Sequence, residues 1–232
     1  MGPVSSDELN RYLKQTRDLY GDELFIELDL PLAKESSSEV NSLSKQSDFA
    51  SNLKSFHKDI QNCQKCSLGQ SRTNFVFGVG DPKASLLLVG GSPDEEDDSK
   101  GKPFQGESGV LLDKILAAID RSRKKGVYIC NIIKCKPPGN RDPNTEEVAQ
   151  CVPYLFHQIN LIKPKLIVAL GRVAGMTLLK VDKQLKSMRG VLHDYHEIPL
   201  IVTYHPAALI KNHNWKPETW KDFKWIRSIL DA

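Results

Sequence analysis

Seven residues of this 232-residue chain combine types and spacings that can do chemistry: Cys63, Cys66, Cys135, Cys151, Phe104, Asn131 and His205. The cysteines follow the pattern Cys63-x2-Cys66, with Cys135 sixty-nine positions later and Cys151 sixteen after that. The last two bracket the stretch CKPPGNRDPNTEEVAQC. Clustered thiols in an intracellular chain of ordinary size are more often metal ligands than crosslinks. Four thiolates suit either zinc or an iron-sulfur cube. The fifth cysteine, Cys130, sits in an apolar run and reads as a small buried hydrophobe.

An asparagine beside a flat heterocycle donates from its amide nitrogen and accepts at its oxygen, which matches the carbonyl acceptor and imide donor of a uracil edge. Cytosine presents the opposite pattern. A neutral histidine near the ring's other carbonyl donates a hydrogen bond that strengthens as charge collects on a departing uracil anion. Phe104, in GKPFQG, offers a ring on which an extruded base can stack. Each residue also has an ordinary reading, as a loop cap, a satisfied structural histidine or a core phenylalanine. The run Asp94-Glu95-Glu96-Asp97-Asp98 reads as a solvated surface loop. Most of its side chains are expected to point away from DNA, with one carboxylate at the pocket mouth able to orient a water. Lys100, Lys102, Lys134, Lys136, Arg141 and Lys211 supply the positive groups that a phosphate backbone requires.

These residues need a scaffold. Leu86 to Val89, Val127 to Ile133, Leu166 to Leu170 and Ile198 to Val202 are short, nearly continuous apolar runs, as expected of parallel strands buried on both faces. Between them lie helical patterns through Val110, Leu111, Ile115 and Ile119, and through Val148, Val152, Leu155 and Ile159, the latter preceded by Asn144 and Glu147 in capping-box spacing. A helix through Leu53, Phe56 and Ile60 runs into Cys63, and a final one places Trp220, Phe223, Ile226 and Leu230 on its apolar side. The expectation is an α/β fold, a three-layer α/β/α sandwich around a central, mainly parallel four-stranded sheet. In such a sheet, ligands bind beyond the carboxyl ends of the strands. There the chain places Gly90-Gly91-Ser92-Pro93-Asp94, Asn131, Gly171 and Tyr204-His205-Pro206.

Residues 1–48 are expected to hold a short amphipathic helix, a docking element for a protein partner, and a polar linker; residues 49–232 are expected to hold the main domain. The formal charge of +3 neither demands nor forbids nucleic acid, so basic residues must gather on one face to bind it. The N-terminus lacks the apolar core of a signal peptide, and no apolar stretch approaches the roughly twenty residues that cross a bilayer. A monomeric cytoplasmic protein without membrane contact is expected.

With these residues in view, the chain resembles the family 4 uracil-DNA glycosylases, the iron-sulfur branch of that superfamily. The likeness runs from about Phe56 to Leu230 and rests on NIIKCKPPGNRDP, GKPFQGESGVLLDKIL, the Cys151 spacing, LIVALGRVA and YHPAALI. It implies a 4Fe-4S cluster on Cys63, Cys66, Cys135 and Cys151, uracil reading by Asn131, stacking on Phe104, and assistance to the leaving base by His205. It also implies uracil-containing DNA as partner and monofunctional release of uracil in base excision repair. The cluster is then expected to hold the Pro138-Gly139-Asn140-Arg141 loop for phosphate contact, with Lys136, Arg141 and Lys211 on the DNA and Leu209 or Ile210 as a wedge in the vacated stack. The family's first motif reads Gly-Glu-x-Pro-Gly, whereas this chain has Gly90-Gly91-Ser92-Pro93-Asp94, so Gly91 and Ser92 line the pocket where a glutamate is usual. Asp94 or Asp97 must then hold the attacking water, or the rate falls by about 10² to 10⁴. The alternative is a non-catalytic or altered-specificity DNA-binding protein that keeps fold and cluster. A second departure is Ala207, where a serine after the His-Pro pair is common.

Overall fold

The computed structural model describes residues 49–232, so the helix and linker expected in residues 1–48 lie outside the described residues. The chain divides into two compact units, Met1–Lys45 and Gln46–Ala232, and the described residues belong to the second.

Six strands form one sheet: β1 (Val79–Gly80), β2 (Leu86–Gly90), β3 (Val127–Asn131), β4 (Leu166–Leu170), β5 (Leu192–Tyr195) and β6 (Ile198–Thr203), in the order β1-β3-β2-β4-β6-β5. The four apolar runs are the parallel centre, β3-β2-β4-β6. Two antiparallel edges were not anticipated and make the sheet six-stranded and mixed. β5 and β6 form a hairpin closed by His196 and Glu197, both at positive φ (51° and 68°). A two-residue turn of that handedness normally carries Asn-Gly, so the sequence gives little sign of it.

Side chains alternate between two apolar clusters along each central strand. Leu87, Val89, Tyr128, Cys130, Ile167, Ala169, Leu200 and Val202 face one, and Leu86, Leu88, Val127, Ile129, Leu166, Val168 and Ile201 face the other. The first face is covered by α1 (Phe49–Ile60), α5 (Thr145–Ile162) and α6 (Arg172–Leu179), the second by α4 (Glu107–Ala117) and α9 (Lys216–Asp231). Covering both faces yields the three layers and explains why the strands are apolar throughout. Cys130 is fully buried, as its apolar neighbours imply.

The capping box of α5 is complete: Asn144 Oδ1 accepts from Glu147 N and Glu147 Oε2 accepts from Asn144 N, each at 2.8 Å. Trp220, placed by periodicity on the apolar side of α9, is exposed. Short helices complete the frame: α2 (Leu68–Ser71), α3 (Glu95–Lys100), α7 (Leu185–Met188) and α8 (Pro206–Lys211). Because β2 connects to β3 on one side while β4 pairs on the other, the direction of winding reverses at the carboxyl end of β2, where Gly90 and Gly91 stand. Among the described residues, no helix is long and apolar enough to cross a membrane.

Candidate active site

Asn131 ends β3 directly opposite Gly90, which ends β2. Its side chain is 1 % exposed, and its amide nitrogen has no hydrogen-bond partner. A buried donor left unpaired costs about 1–3 kcal/mol, and native structures retain few of them without a functional reason. A Cβ on Gly90 would lie 2.3 Å from Asn131 Oδ1 and 3.0 Å from Phe104 Cζ, so only glycine lets the amide and the aromatic ring close on this point.

Phe104 stacks on His205, with ring centroids 5.1 Å apart and planes inclined at 26°. β6 delivers His205, and Gly171 at the end of β4 makes room for it: a Cβ there would approach His205 Cβ to 3.1 Å. His205 caps α8, its Nδ1 accepting from Ala207 N at 3.2 Å. That bond leaves the neutral ring's proton on Nε2, which is therefore a donor. Burial draws the His205 pKa down to about 4, against a smaller opposing pull from Asp94, so the ring is neutral at pH 7.

The acidic run is a helix, not a solvated loop. Asp94 caps α3, its Oδ1 accepting from Asp97 N at 3.0 Å. Asp97 is 4 % exposed and turned into the protein, where Oδ1 accepts from Gln105 N at 2.8 Å. Burial pushes its pKa up to about 6, with hydrogen bonds from the Gln105 and Phe104 backbone opposing. Asp98 is 2 % exposed and accepts from Thr73 N and Asn74 N. The expectation of a solvated surface loop therefore fails at Asp97 and Asp98, which bind neighbouring backbone, while Glu95 and Glu96 are exposed. Gly91 faces Val173, whose Cβ would stand 3.2 Å from a Cβ at position 91, and Ser92 is half-buried beside it.

The residues expected to face DNA are arranged unevenly. Lys211, at the end of α8, is exposed. Lys136 pairs with Glu95. Arg141 makes a two-pronged pair with Glu147, at 2.6 and 2.8 Å. Leu209 is 1 % exposed and packed inside, which corrects its placement as a wedge; Ile210 beside it is half-exposed. Lys134 is a further correction. It is completely buried, its Nζ donating to Asn131 O at 2.8 Å and to Gln158 Oε1 at 2.6 Å, so it offers no surface charge.

The four cysteines belong to one packed cluster, Cys135 and Cys151 within it and Cys63 and Cys66 against it. The thiolate charges of Cys63 and Cys66 act on Cys135, and those of Cys66 and Cys135 on Cys151. Three sulfurs accept hydrogen bonds: Cys63 from Tyr154 Oη at 3.2 Å, Cys135 from Arg72 Nη1 at 3.1 Å, and Cys151 from Lys134 N at 3.3 Å. Burial pushes the Cys151 thiol up to about 12 and also raises Cys135, so a metal centre would have to displace their protons. Among the described residues, no three His, Cys, Asp or Glu side chains are placed to hold a single metal ion.

A cleft of about 470 Å³ lined by Asp142, Thr145, Val148, Arg172, Val173 and Met176 borders Gly91 through Val173. It contains none of Asn131, Phe104 or His205.

Residues 77–224 match the family model described as uracil DNA glycosylase superfamily. The chain is 40 % identical over 185 residues to a type-4 uracil-DNA glycosylase of Sulfurisphaera tokodaii, covering 76 % of this chain and 84 % of the relative. It is 39 % identical over 180 residues to that of Archaeoglobus fulgidus, covering 74 % and 90 %. A type-5 uracil-DNA glycosylase of Thermus thermophilus is 32 % identical over 149 residues, 56 % of this chain and 68 % of that one.

Proposed function

The chain belongs to the type-4 uracil-DNA glycosylases of the uracil DNA glycosylase superfamily, and we propose that it hydrolyses the N-glycosidic bond of deoxyuridine in DNA, leaving an abasic site. The observation that carries this reading is the buried, unpartnered amide nitrogen of Asn131, beside a ring stacked on a neutral histidine. An everted uracil supplies what that amide lacks: a carbonyl oxygen to accept from Nδ2, and an imide N–H to donate to Oδ1.

Phe104 stacks on the base and His205 donates from Nε2 to the carbonyl on which charge accumulates. A neutral donor suits this role, because it stabilises the developing anion without surrendering a proton in the ground state. One such preorganised donor is typically worth about 10² to 10³ in rate. Asp94 spends one oxygen on its helix and keeps the other to orient the attacking water, taking the part of the absent glutamate. Asp97, bound to the Gln105 backbone, is not available for it. Lys134 is buried and its Nζ already occupied, so it does not serve as a nucleophile on the sugar, in keeping with uracil release without strand cleavage.

A 4Fe-4S cluster on Cys63, Cys66, Cys135 and Cys151 belongs to the same reading. Four thiolates are the ligand set of such a cluster, and the donors from Tyr154, Arg72 and Lys134 are of the kind that iron-bound thiolates accept. These cysteines would hold it, and it would then crosslink the segment around Cys63 and Cys66, the loop after β3 at Cys135 and helix α5 at Cys151. Lys211 and, in competition with their carboxylate partners, Lys136 and Arg141 contact phosphate. Ile210 enters the gap left by the base.

Incubation of the full chain with a uracil-containing oligonucleotide, followed by hot alkali, tests the reading. Cleavage at the uracil marks an enzyme, and an intact strand marks a non-catalytic binder.

A further inference from the structure

We propose that Arg123 and Asp97 form a clamp that holds Phe104 as the stacking platform, which makes both of them positioning residues; the role of the clamp rests on the reading of Phe104 given above. Phe104 has φ +56°, a left-handed backbone that an aromatic residue rarely adopts without being held there. The peptide that follows it is gripped at both ends. Its carbonyl, Phe104 O, accepts from Arg123 Nη2 at 2.7 Å, and its N–H, on Gln105, donates to Asp97 Oδ1 at 2.8 Å. The peptide before it is held as well, with Pro103 O accepting from Arg123 Nη1 at 2.9 Å.

One guanidinium thus spans both peptides that set the Phe104 dihedrals. Its own orientation is fixed by Asp113, whose Oδ1 accepts from Nε at 2.7 Å. Gly109 completes the device, since a Cβ there would sit 1.9 Å from Phe104 O and block the inward carbonyl. The outcome is a ring turned inward against His205, 5.1 Å between centroids. Released from the clamp, Phe104 relaxes toward negative φ and its ring leaves the imidazole. Lysine cannot replace Arg123, because a single ammonium does not reach two carbonyls in fork geometry.

The test uses the full chain with histidine rings isotopically labelled, the His205 signals being assigned with His205→Asn. In the native protein the Phe104 ring current shifts the His205 ring protons. Arg123→Ala, and Arg123→Lys should the alanine variant not fold, moves those signals to where Phe104→Ala puts them. Single-turnover uracil release by Arg123→Ala falls roughly ten- to a hundred-fold, the effect of losing charge-assisted hydrogen bonds that hold a reacting group. In a Phe104→Ala background the same substitution costs less than about twofold more, because residues acting through one another are not additive. His205 signals left in place, or losses that multiply in the double variant, overturn the clamp. A native chain that releases no uracil sinks the functional reading instead, and the clamp is then decided by the His205 signals alone.

Discussion

Gly90→Ala adds a single methyl group at the point where the site is tightest. Its carbon would start 2.3 Å from Asn131 Oδ1 and 3.0 Å from Phe104 Cζ, whereas ordinary van der Waals contact begins near 3.4 Å. The amide oxygen must therefore retreat by about 1 Å, and a displacement of that size at a reacting centre costs on the order of 10² in rate. Gly90 lies on a strand with ordinary backbone and is not at positive φ, so alanine itself introduces no backbone strain. The loss should fall on uracil release and leave binding to undamaged DNA unchanged. Single-turnover cleavage of a uracil oligonucleotide, with a melting curve and a DNA-binding titration on the same preparation, measures all three. A folded Gly90→Ala protein within about threefold of the native rate would refute the placement of uracil against Asn131 and Phe104, since a displacement of about 1 Å costs far more.

Three further outcomes follow from the geometry. Cys135→Ser or Cys151→Ser should abolish iron content and broad visible absorption, while Cys130→Ser, fully buried in apolar surroundings, keeps both; metal analysis and absorbance decide it. Asp98→Ala strands the Thr73 and Asn74 N–H groups and should cost about 1–3 kcal/mol in urea unfolding, with uracil release affected less than stability. Burial draws the His205 pKa down to about 4, below the ordinary imidazole value of about 6.5, so the unfolded chain binds the extra proton first; its contribution is complete above pH 6.5 and is lost as pH falls toward 4. Asp97, raised to about 6, acts oppositely, stabilising the fold as pH falls below 6, so the comparison must be with His205→Gln, whose melting temperature should decline less between pH 7 and 4.5 than that of the native chain.

The parallel centre of the sheet and the residues around its carboxyl ends were legible because their signals are local. Buried strands leave apolar runs, Asn144 and Glu147 leave a capping box, and cysteines, a His-Pro pair and a Gly-Gly end are conspicuous by type. What escaped depends on partners distant in sequence. The acidic run reads as solvated by composition, yet Asp98 meets Thr73 and Asn74 across twenty-four and more residues. Lys134 counts as a surface cation until Gln158 comes within reach on α5. Leu209 and Ile210 are adjacent and chemically alike, and only the packing of α8 separates the buried one from the half-exposed one. Arg123 carries no motif at all; its importance lies in two carbonyls some twenty residues away.

Base choice by Asn131→Asp is the most direct measurement. A carboxylate of nearly the same shape keeps an acceptor but removes the one donor that uracil's carbonyl requires, while cytosine's amino group would be accepted instead. Release from uracil and cytosine oligonucleotides, compared on native and variant proteins of equal melting temperature, should show uracil release reduced by about 10² or more and the preference for uracil over cytosine eroded. An Asn131→Asp protein that frees uracil at the native rate, still ignoring cytosine, would contradict the assignment of that buried amide to the everted base.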